Sequence, residues 1–169
     1  MLRAYLQLCW FKSDPTSLMP TREFSRNVII FYLLSGFIVE GLIADFFEGP
    51  IEVLMRTFMA FSSVAIFLLF QEKNILLFQR IFTAIFVCEN FIMTLAVLCE
   101  VLDFVLVINH FEFREEVGIA LASFLVVWYL AIVGYVLRQF FKYGIKKSVS
   151  FAFTYFVLTY GIPMFIMDV

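Results

Sequence analysis

Charge is scarce in this sequence. Only 15% of its 169 residues are charged, whereas a soluble domain of ordinary composition carries roughly a quarter. A chain with so few charges has too little polar surface to face water on every side, which excludes an ordinary water-soluble globular domain.

The residues that most catalytic and metal sites need are also few. The three cysteines, Cys9, Cys88 and Cys99, have no CxxC spacing, so the sequence gives no thiol oxidoreductase motif and no metal framework. His110 is the only histidine, which excludes haem or zinc ligation by paired histidines within one chain. The sequence contains neither GxSxG nor a phosphate-binding glycine loop. We therefore expect no enzymatic activity, no cofactor and no metal.

Apolar residues fill the space that charge leaves. They make up 63% of the chain, 20% of it is aromatic, and the mean hydropathy is +0.98. Crossing the hydrocarbon core of a bilayer takes about 20 apolar residues, and only helices and closed barrels satisfy their backbone groups there. The sequence therefore predicts an all-α bundle of five transmembrane helices. They cover about Val28–Phe46, Ile51–Phe70, Ile75–Val101, Val117–Val136 and Val149–Met167.

The basic residues predict the orientation of this bundle. Ten of the twelve fall in the segments that would lie on one side, namely 1–27, 71–80 and 138–147, and cytoplasmic loops are the ones enriched in Lys and Arg. The N-terminus is then cytoplasmic and the C-terminus outside. We expect residues 1–27 to be a cytoplasmic interfacial segment with a short amphipathic helix on the inner leaflet, and residues 28–169 to be the transmembrane domain.

Two connections are less regular than the others. The "EGP" at 48–50 combines Gly and Pro and predicts a tight turn. Residues 102–108 are apolar but interrupted by Asp103. They either extend the third helix beyond the membrane or lie along the interface, and the sequence leaves both alternatives open.

Polar and small residues within apolar helices indicate which faces point inward. In the third predicted span, Gln79, Thr83, Asn90 and Thr94 fall within about 60° of one another at 100° per residue. The fourth span offers Gly134 and Arg138 on one face. These two faces are predicted to be the helix-packing stripes, and Asn90 is expected to hydrogen-bond another helix.

Three ionisable residues lie inside the predicted spans: Glu40, Arg56 and Glu89. A carboxylate at mid-bilayer costs about 2.5–3.5 kcal/mol on insertion scales, so it must be paired, hydrated or protonated. We expect Arg56 to pair with Glu40, with Glu52 one turn away on its own helix. Glu89 competes for the same base, and two acids with one base leave a spare acid inside the bundle.

Two stretches resemble known families. "LLFQRIFTAIF" (76–86) and "VVWYLAIVGYVLRQFF" (126–141) resemble a group of small uncharacterised inner-membrane proteins of proteobacteria. The fourth span followed by a last span also resembles the Yip (Rab-GTPase-interacting) membrane protein family. That resemblance implies five spans and a cytoplasmic N-terminus, and it brings no catalytic residues. The residues that match the proteobacterial group are Gln79, Thr83, Ala84, Trp128, Gly134, Leu137 and Arg138.

These observations favour a non-enzymatic multi-pass membrane protein, in a bacterial inner membrane, that acts by assembly with membrane proteins or lipids. A homo-oligomer is compatible with this role, and no nucleic-acid partner is expected. The alternative is a small transporter or channel, proton-coupled through Glu40, Arg56 and Glu89, because buried ionisable residues mark ion pathways. Five spans do not divide into two equal halves, and no inverted repeat is visible, which weighs against the alternative.

Overall fold

Each apolar stretch of the sequence is helical in the computed structural model, which describes residues 1–43, 47–71, 76–111 and 113–167. The described residues contain no strand, so the all-α prediction is confirmed for this part of the chain. The helices are α1 Leu2–Leu6, α2 Arg22–Ile43, α3 Glu48–Phe70, α4 Leu77–Ile108, α5 Arg114–Phe141, α6 Ile145–Phe156 and α7 Ile162–Met167.

Four helical segments are long and apolar enough to cross a membrane. They are Glu48–Phe70, Leu77–Ile108, Arg114–Phe141 and the nearly continuous Ile145–Met167, and they correspond to the second to fifth predicted spans. The chain is therefore a helical bundle of a membrane protein. Helix α2 is 22 residues long, but the predicted end of the first span at Phe46 and the predicted start of the third at Ile75 lie outside the described residues.

Several predicted boundaries move in the structure. Helix α2 begins at Arg22, not at Val28. The "EGP" segment is not a tight turn: it is the first turn of α3, where proline is tolerated because its missing N–H would have no helical partner. Residues 102–108 continue α4 to Ile108. The 32 residues of α4 measure roughly 48 Å at about 1.5 Å each, which exceeds the ~30 Å hydrocarbon core.

The two ends of the bundle differ in charge. Helix α3 ends and α4 begins at one end of the bundle, which we call the basic end. It carries Arg80 and the lysines that follow α5. The end where α4 ends and α5 begins, here the acidic end, carries Asp103, Glu115 and Glu116.

The tightly packed core lies in the basic half. Every residue of α4 from Ile81 to Glu89 is buried, and α4 has no buried residue after Glu89. Within this segment the ring of Phe82 stacks on Phe61 of α3, with centroids 3.9 Å apart, and lies tilted against Phe86 at 4.0 Å. The acidic half of α4 is therefore packed less tightly than its basic half, and its residues are at most partly buried.

Helices α2 and α3 approach each other closely at Gly36. A Cβ atom on Gly36 would lie 2.9 Å from Cγ1 of Val53, closer than carbon atoms pack without displacement. The missing side chain thus lets α3 lie directly on α2, as small residues do in helix interfaces within membranes. This contact holds the segment of α2 that carries Glu40 against the segment of α3 that carries Arg56.

The N-terminal segment, residues 1–20, packs between α4 and α5. The indole of Trp128 donates to the carbonyl of Cys9 at 3.0 Å, and the hydroxyl of Tyr135 donates to that of Ser13 at 3.0 Å. Tyr5 is 1% exposed, and burial raises its pKa to about 12, with Arg80 opposing the shift. One side of the segment thus packs on the bundle, whereas Leu2, Trp10 and Phe11 are exposed. Its position on the inner leaflet stays a prediction.

A widened turn interrupts the last span. Residues Val157–Gly161 form a π-helical turn between α6 and α7, and Pro163 follows in the first turn of α7. Proline removes a backbone hydrogen bond and its ring crowds the carbonyl four residues earlier, so the helix widens there. Tyr160 lies in this widened turn, and its side chain reaches the middle of the bundle.

Candidate functional site: an ionic cluster and an intramembrane cavity

Arg56 holds two carboxylates at once. Its Nη1 lies 2.5 Å from Oε1 of Glu40 on α2, and its Nη2 lies 2.5 Å from Oε1 of Glu52, one turn earlier on α3. The three side chains are only 15–21% exposed. The structure therefore brings together the pair and the neighbour that the sequence analysis named. With two acids on one base, this cluster carries a formal surplus of one negative charge.

Tyr160 links this cluster to Glu89. The guanidinium carbon of Arg56 lies 5.0 Å from the centre of the Tyr160 ring, within the range of a cation–π contact. The hydroxyl of the same tyrosine donates to Oε1 of Glu89 at 2.5 Å. One side chain of the last span thus contacts both Arg56 and Glu89, which form no hydrogen bond or salt bridge with each other.

Glu89 is the spare acid that the sequence analysis anticipated. It is 2% exposed, and among the described residues it forms no salt bridge. Its Oε2 has no hydrogen-bond partner there, nor has the hydroxyl of Tyr129. Arg56 already forms salt bridges with Glu40 and Glu52. The partner of Glu89 is therefore the hydroxyl of Tyr160 and not a basic group.

Residues of the predicted α4 stripe hold α2. Gln79 Nε2 donates to Oγ of Ser25 at 3.0 Å, and the Thr83 hydroxyl donates to the same oxygen at 2.8 Å. Asn90 Nδ2 donates to the carbonyl of Val28 at 3.3 Å. The polar stripe thus fixes the start of α2 against α4, and that contact sets the position of Glu89.

Two residues of the predicted stripes do not pack between helices. Thr94 is exposed and its hydroxyl donates to the carbonyl of Asn90 in its own helix, in the part of α4 that has no fully buried residue. Arg138 is exposed, since its long side chain lies near the end of α5, where it reaches away from the bundle. Gly134, on the same predicted face, is buried against Ser148 and Ala152 of α6.

A cavity of about 510 Å³ lies on the acidic side of these contacts. Glu40, Arg56 and Glu89 line its inner end, and apolar side chains of α4 and α5 line most of its walls. Nearer the acidic end, Glu100 and Asp103 also face it. Its size falls in the range of small-molecule sites, which are typically apolar with a few polar groups. The wall residues of α4 and α5 are Ile92, Met93, Ala96, Leu121, Ala122 and Leu125.

Tyrosines are the functional residues that sequence reasoning missed. Tyr32, Tyr129 and Tyr160 all line the inner end of the cavity. A signal was present, because a tyrosine in an apolar span needs a partner for its hydroxyl, and the Gly161–Pro163 spacing indicates an irregular turn beside Tyr160. Counting these residues simply as aromatic concealed both signals.

The comparisons with known proteins found no relative: no family model, no curated protein and no solved structure matches this chain. In the described residues no group of three or more His, Cys, Asp or Glu side chains is arranged to hold a metal ion.

Proposed function

We propose that this chain is a non-enzymatic multi-pass membrane protein that acts by binding a lipid-like molecule in the cavity between its helices. The observation that carries the proposal is the cavity itself. It combines long apolar walls with a polar inner end, and an amphipathic molecule has the same two parts. A molecule of this kind reaches the site from the bilayer, and its polar group then meets Arg56, Glu89 and the tyrosines.

The membrane arrangement that goes with this role has five spans, formed by α2, α3, α4, α5 and α6 with α7. Its basic end faces the cytoplasm of a bacterial inner membrane, in line with the positive-inside rule. The likeness of the fourth span and the last span to the Yip family supports the same layout. In this topology the N-terminal segment is cytoplasmic and the cavity faces the outer half of the membrane.

A reporter enzyme fused after Val169 tests this topology. We expect activity from a reporter that works only outside the cytoplasm, and none from one that works only inside, because the odd number of spans puts the two termini on opposite sides. Activity of the cytoplasmic reporter alone would overturn the five-span arrangement.

Lipid analysis of the purified protein tests the binding function. The protein is extracted from native membranes in mild detergent, and its bound lipids are measured by mass spectrometry. We expect at least one amphipathic species at about one molecule per chain. Ala96→Phe, which fills the cavity, should reduce that species about tenfold, a loss of roughly 1.4 kcal/mol.

Ala120→Phe is the matched control, because Ala120 is exposed on α5 and does not line the cavity. It should retain the bound species at the wild-type level. If both variants retain it equally, the lipid belongs to the outer surface and the cavity is not its site. A membrane protein or a second copy of the chain that co-purifies in place of lipid would favour assembly with proteins.

Proton-coupled transport is the second candidate, favoured by the chain of contacts from Glu89 through Tyr160 to Arg56. Buried carboxylates of this kind serve as proton relays in transporters. The cavity then corresponds to a state open at the acidic end, closed at the basic side by the packed residues around Phe82 and Phe86. Proton uptake by liposomes that contain only this protein would establish this function. If sealed liposomes with the protein inserted take up no protons, proton-coupled transport is wrong.

A further inference from the structure

We propose that the cavity selects an amphiphile with a cationic head, an amine or a quaternary ammonium, which is held at Glu89 and the tyrosines around it. This inference rests on the proposed binding function and names the class of ligand.

The charges that line the cavity carry the first part of the argument. Four lining side chains are carboxylic acids and one is a base. The base is Arg56, which already forms salt bridges with Glu40 and Glu52. The cavity therefore offers an excess of acceptors for a positive group. The four acids are Glu40, Glu89, Glu100 and Asp103.

An unpartnered oxygen carries the second part. Oε2 of Glu89 is buried and forms no hydrogen bond of ordinary geometry. Glu89 lines the inner end of the cavity, and the hydroxyls of Tyr32 and Tyr129 are close to its carboxyl group. A buried polar atom without a partner costs about 1–3 kcal/mol. A primary ammonium group beside Glu89 supplies both a donor and a counter-charge, whereas a tyrosine hydroxyl supplies a donor alone and a quaternary ammonium a counter-charge alone. Few other head groups supply both.

Aromatic rings carry the third part. Tyr32 and Tyr129 line the cavity beside Glu89, and aromatic faces attract ammonium groups, including quaternary ones. The chain already shows this contact once, where the Arg56 guanidinium lies over the ring of Tyr160. A carboxylate flanked by tyrosines is thus suited to a cation in a site that water reaches poorly.

An anionic head is disfavoured by the same geometry. A phosphate or sulfate would have to use Arg56, whose single positive charge already faces the two carboxylates of Glu40 and Glu52. It would also lie near Glu89 without a counter-charge. Like charges at close range in a low-dielectric site repel strongly.

Photo-crosslinking with three matched probes tests the proposal. The probes share one alkyl chain with a diazirine near the head, and they carry a primary ammonium, a hydroxyl or a phosphate head. Each is added to the full-length protein in nanodiscs of neutral lipid, and labelled peptides are identified by mass spectrometry. We expect the ammonium probe to label the wall residues of α4 and α5 about tenfold more than the other two.

Two variants locate the selectivity. Glu89→Gln keeps the shape but removes the charge, and it should reduce ammonium labelling to the level of the hydroxyl probe. Glu116→Gln removes an exposed carboxylate outside the cavity and should leave the labelling unchanged. Ala96→Phe should suppress cavity labelling by all three probes.

The outcomes separate this inference from the function on which it rests. Equal labelling by the three probes, suppressed by Ala96→Phe, would overturn the cationic selectivity and leave the binding function standing. Preference for the phosphate probe would overturn the selectivity as well. If no probe labels the cavity in the wild-type protein, both the selectivity and the proposed binding function are wrong.

Discussion

Arg56→Ala lowers the stability of the purified protein by about 3–5 kcal/mol, because it removes one partner from a buried ion cluster and leaves the others uncompensated. Glu40 and Glu52 then face each other across α2 and α3 without a cation, and Tyr160 loses the guanidinium over its ring. Thermal unfolding in a mild detergent, followed by loss of monodisperse protein, measures the change.

A second substitution shows whether the effect comes from charge. Glu40→Gln in the Arg56→Ala background removes one of the stranded carboxylates, so it should restore part of the lost stability. Taken alone, Glu40→Gln should cost less than Arg56→Ala, because Glu52 still holds the guanidinium. Losses that simply add in the double mutant would show that Arg56 and Glu40 do not depend on each other.

Arg138→Ala is the matched control for the loss of an arginine. Arg138 is exposed and near the end of α5, so we expect a change within about 0.5 kcal/mol. If Arg138→Ala destabilises the protein as much as Arg56→Ala does, then the aliphatic part of arginine or the net charge of the chain matters more than the ion cluster.

The sequence predicts which faces of the helices pack, but not where along a helix the packing ends. Gln79, Thr83 and Asn90 contact α2 as their common face on α4 predicts. Thr94 has the same angular position, yet it is exposed. Periodicity reports an angle around one helix, and the length of a contact depends on how two helices diverge, which no single helix encodes.

The ion cluster was predictable for a different reason. A charge in an apolar helix is costly enough that it must have a partner, and the short connection between α2 and α3 limits the partners to nearby residues. The role of Tyr160 was not predictable in this way. It depends on the widened turn before Pro163, which changes the direction of one side chain by an amount that an ideal 100° wheel does not give.

The N-terminal segment shows the same limit at a larger scale. Its composition, apolar with two basic residues, fits a helix at the membrane surface. In the structure its backbone carbonyls also accept hydrogen bonds from Trp128 and Tyr135. Those donors lie more than a hundred residues away in the sequence, so the composition of the segment alone does not reveal them.

Glu89→Leu weakens folding, whereas Glu89→Gln is tolerated. Leucine removes the oxygen that accepts the Tyr160 hydroxyl and leaves that buried hydroxyl without a partner, a cost of about 1–3 kcal/mol. Glutamine keeps an acceptor at the same place and has nearly the same shape, so we expect a change below about 1 kcal/mol. Thermal unfolding of both variants measures the difference, with Glu100→Leu as control because Glu100 lies exposed on the same helix.

Binding and transport measurements on Glu89→Gln distinguish two roles of Glu89 that stability measurements do not. If Glu89 serves only as a hydrogen-bond acceptor in the bundle, Glu89→Gln should fold, assemble and bind a neutral amphiphile as the wild type does. If it also holds a cationic head, the same variant should lose binding of cations alone, since glutamine cannot carry the counter-charge. A Glu89→Gln protein that folds and binds normally but has lost proton movement in liposomes would show instead that the carboxyl group must gain and release a proton. That result would make proton-coupled transport the leading function, with Tyr160 and Arg56 beside the proton-carrying group.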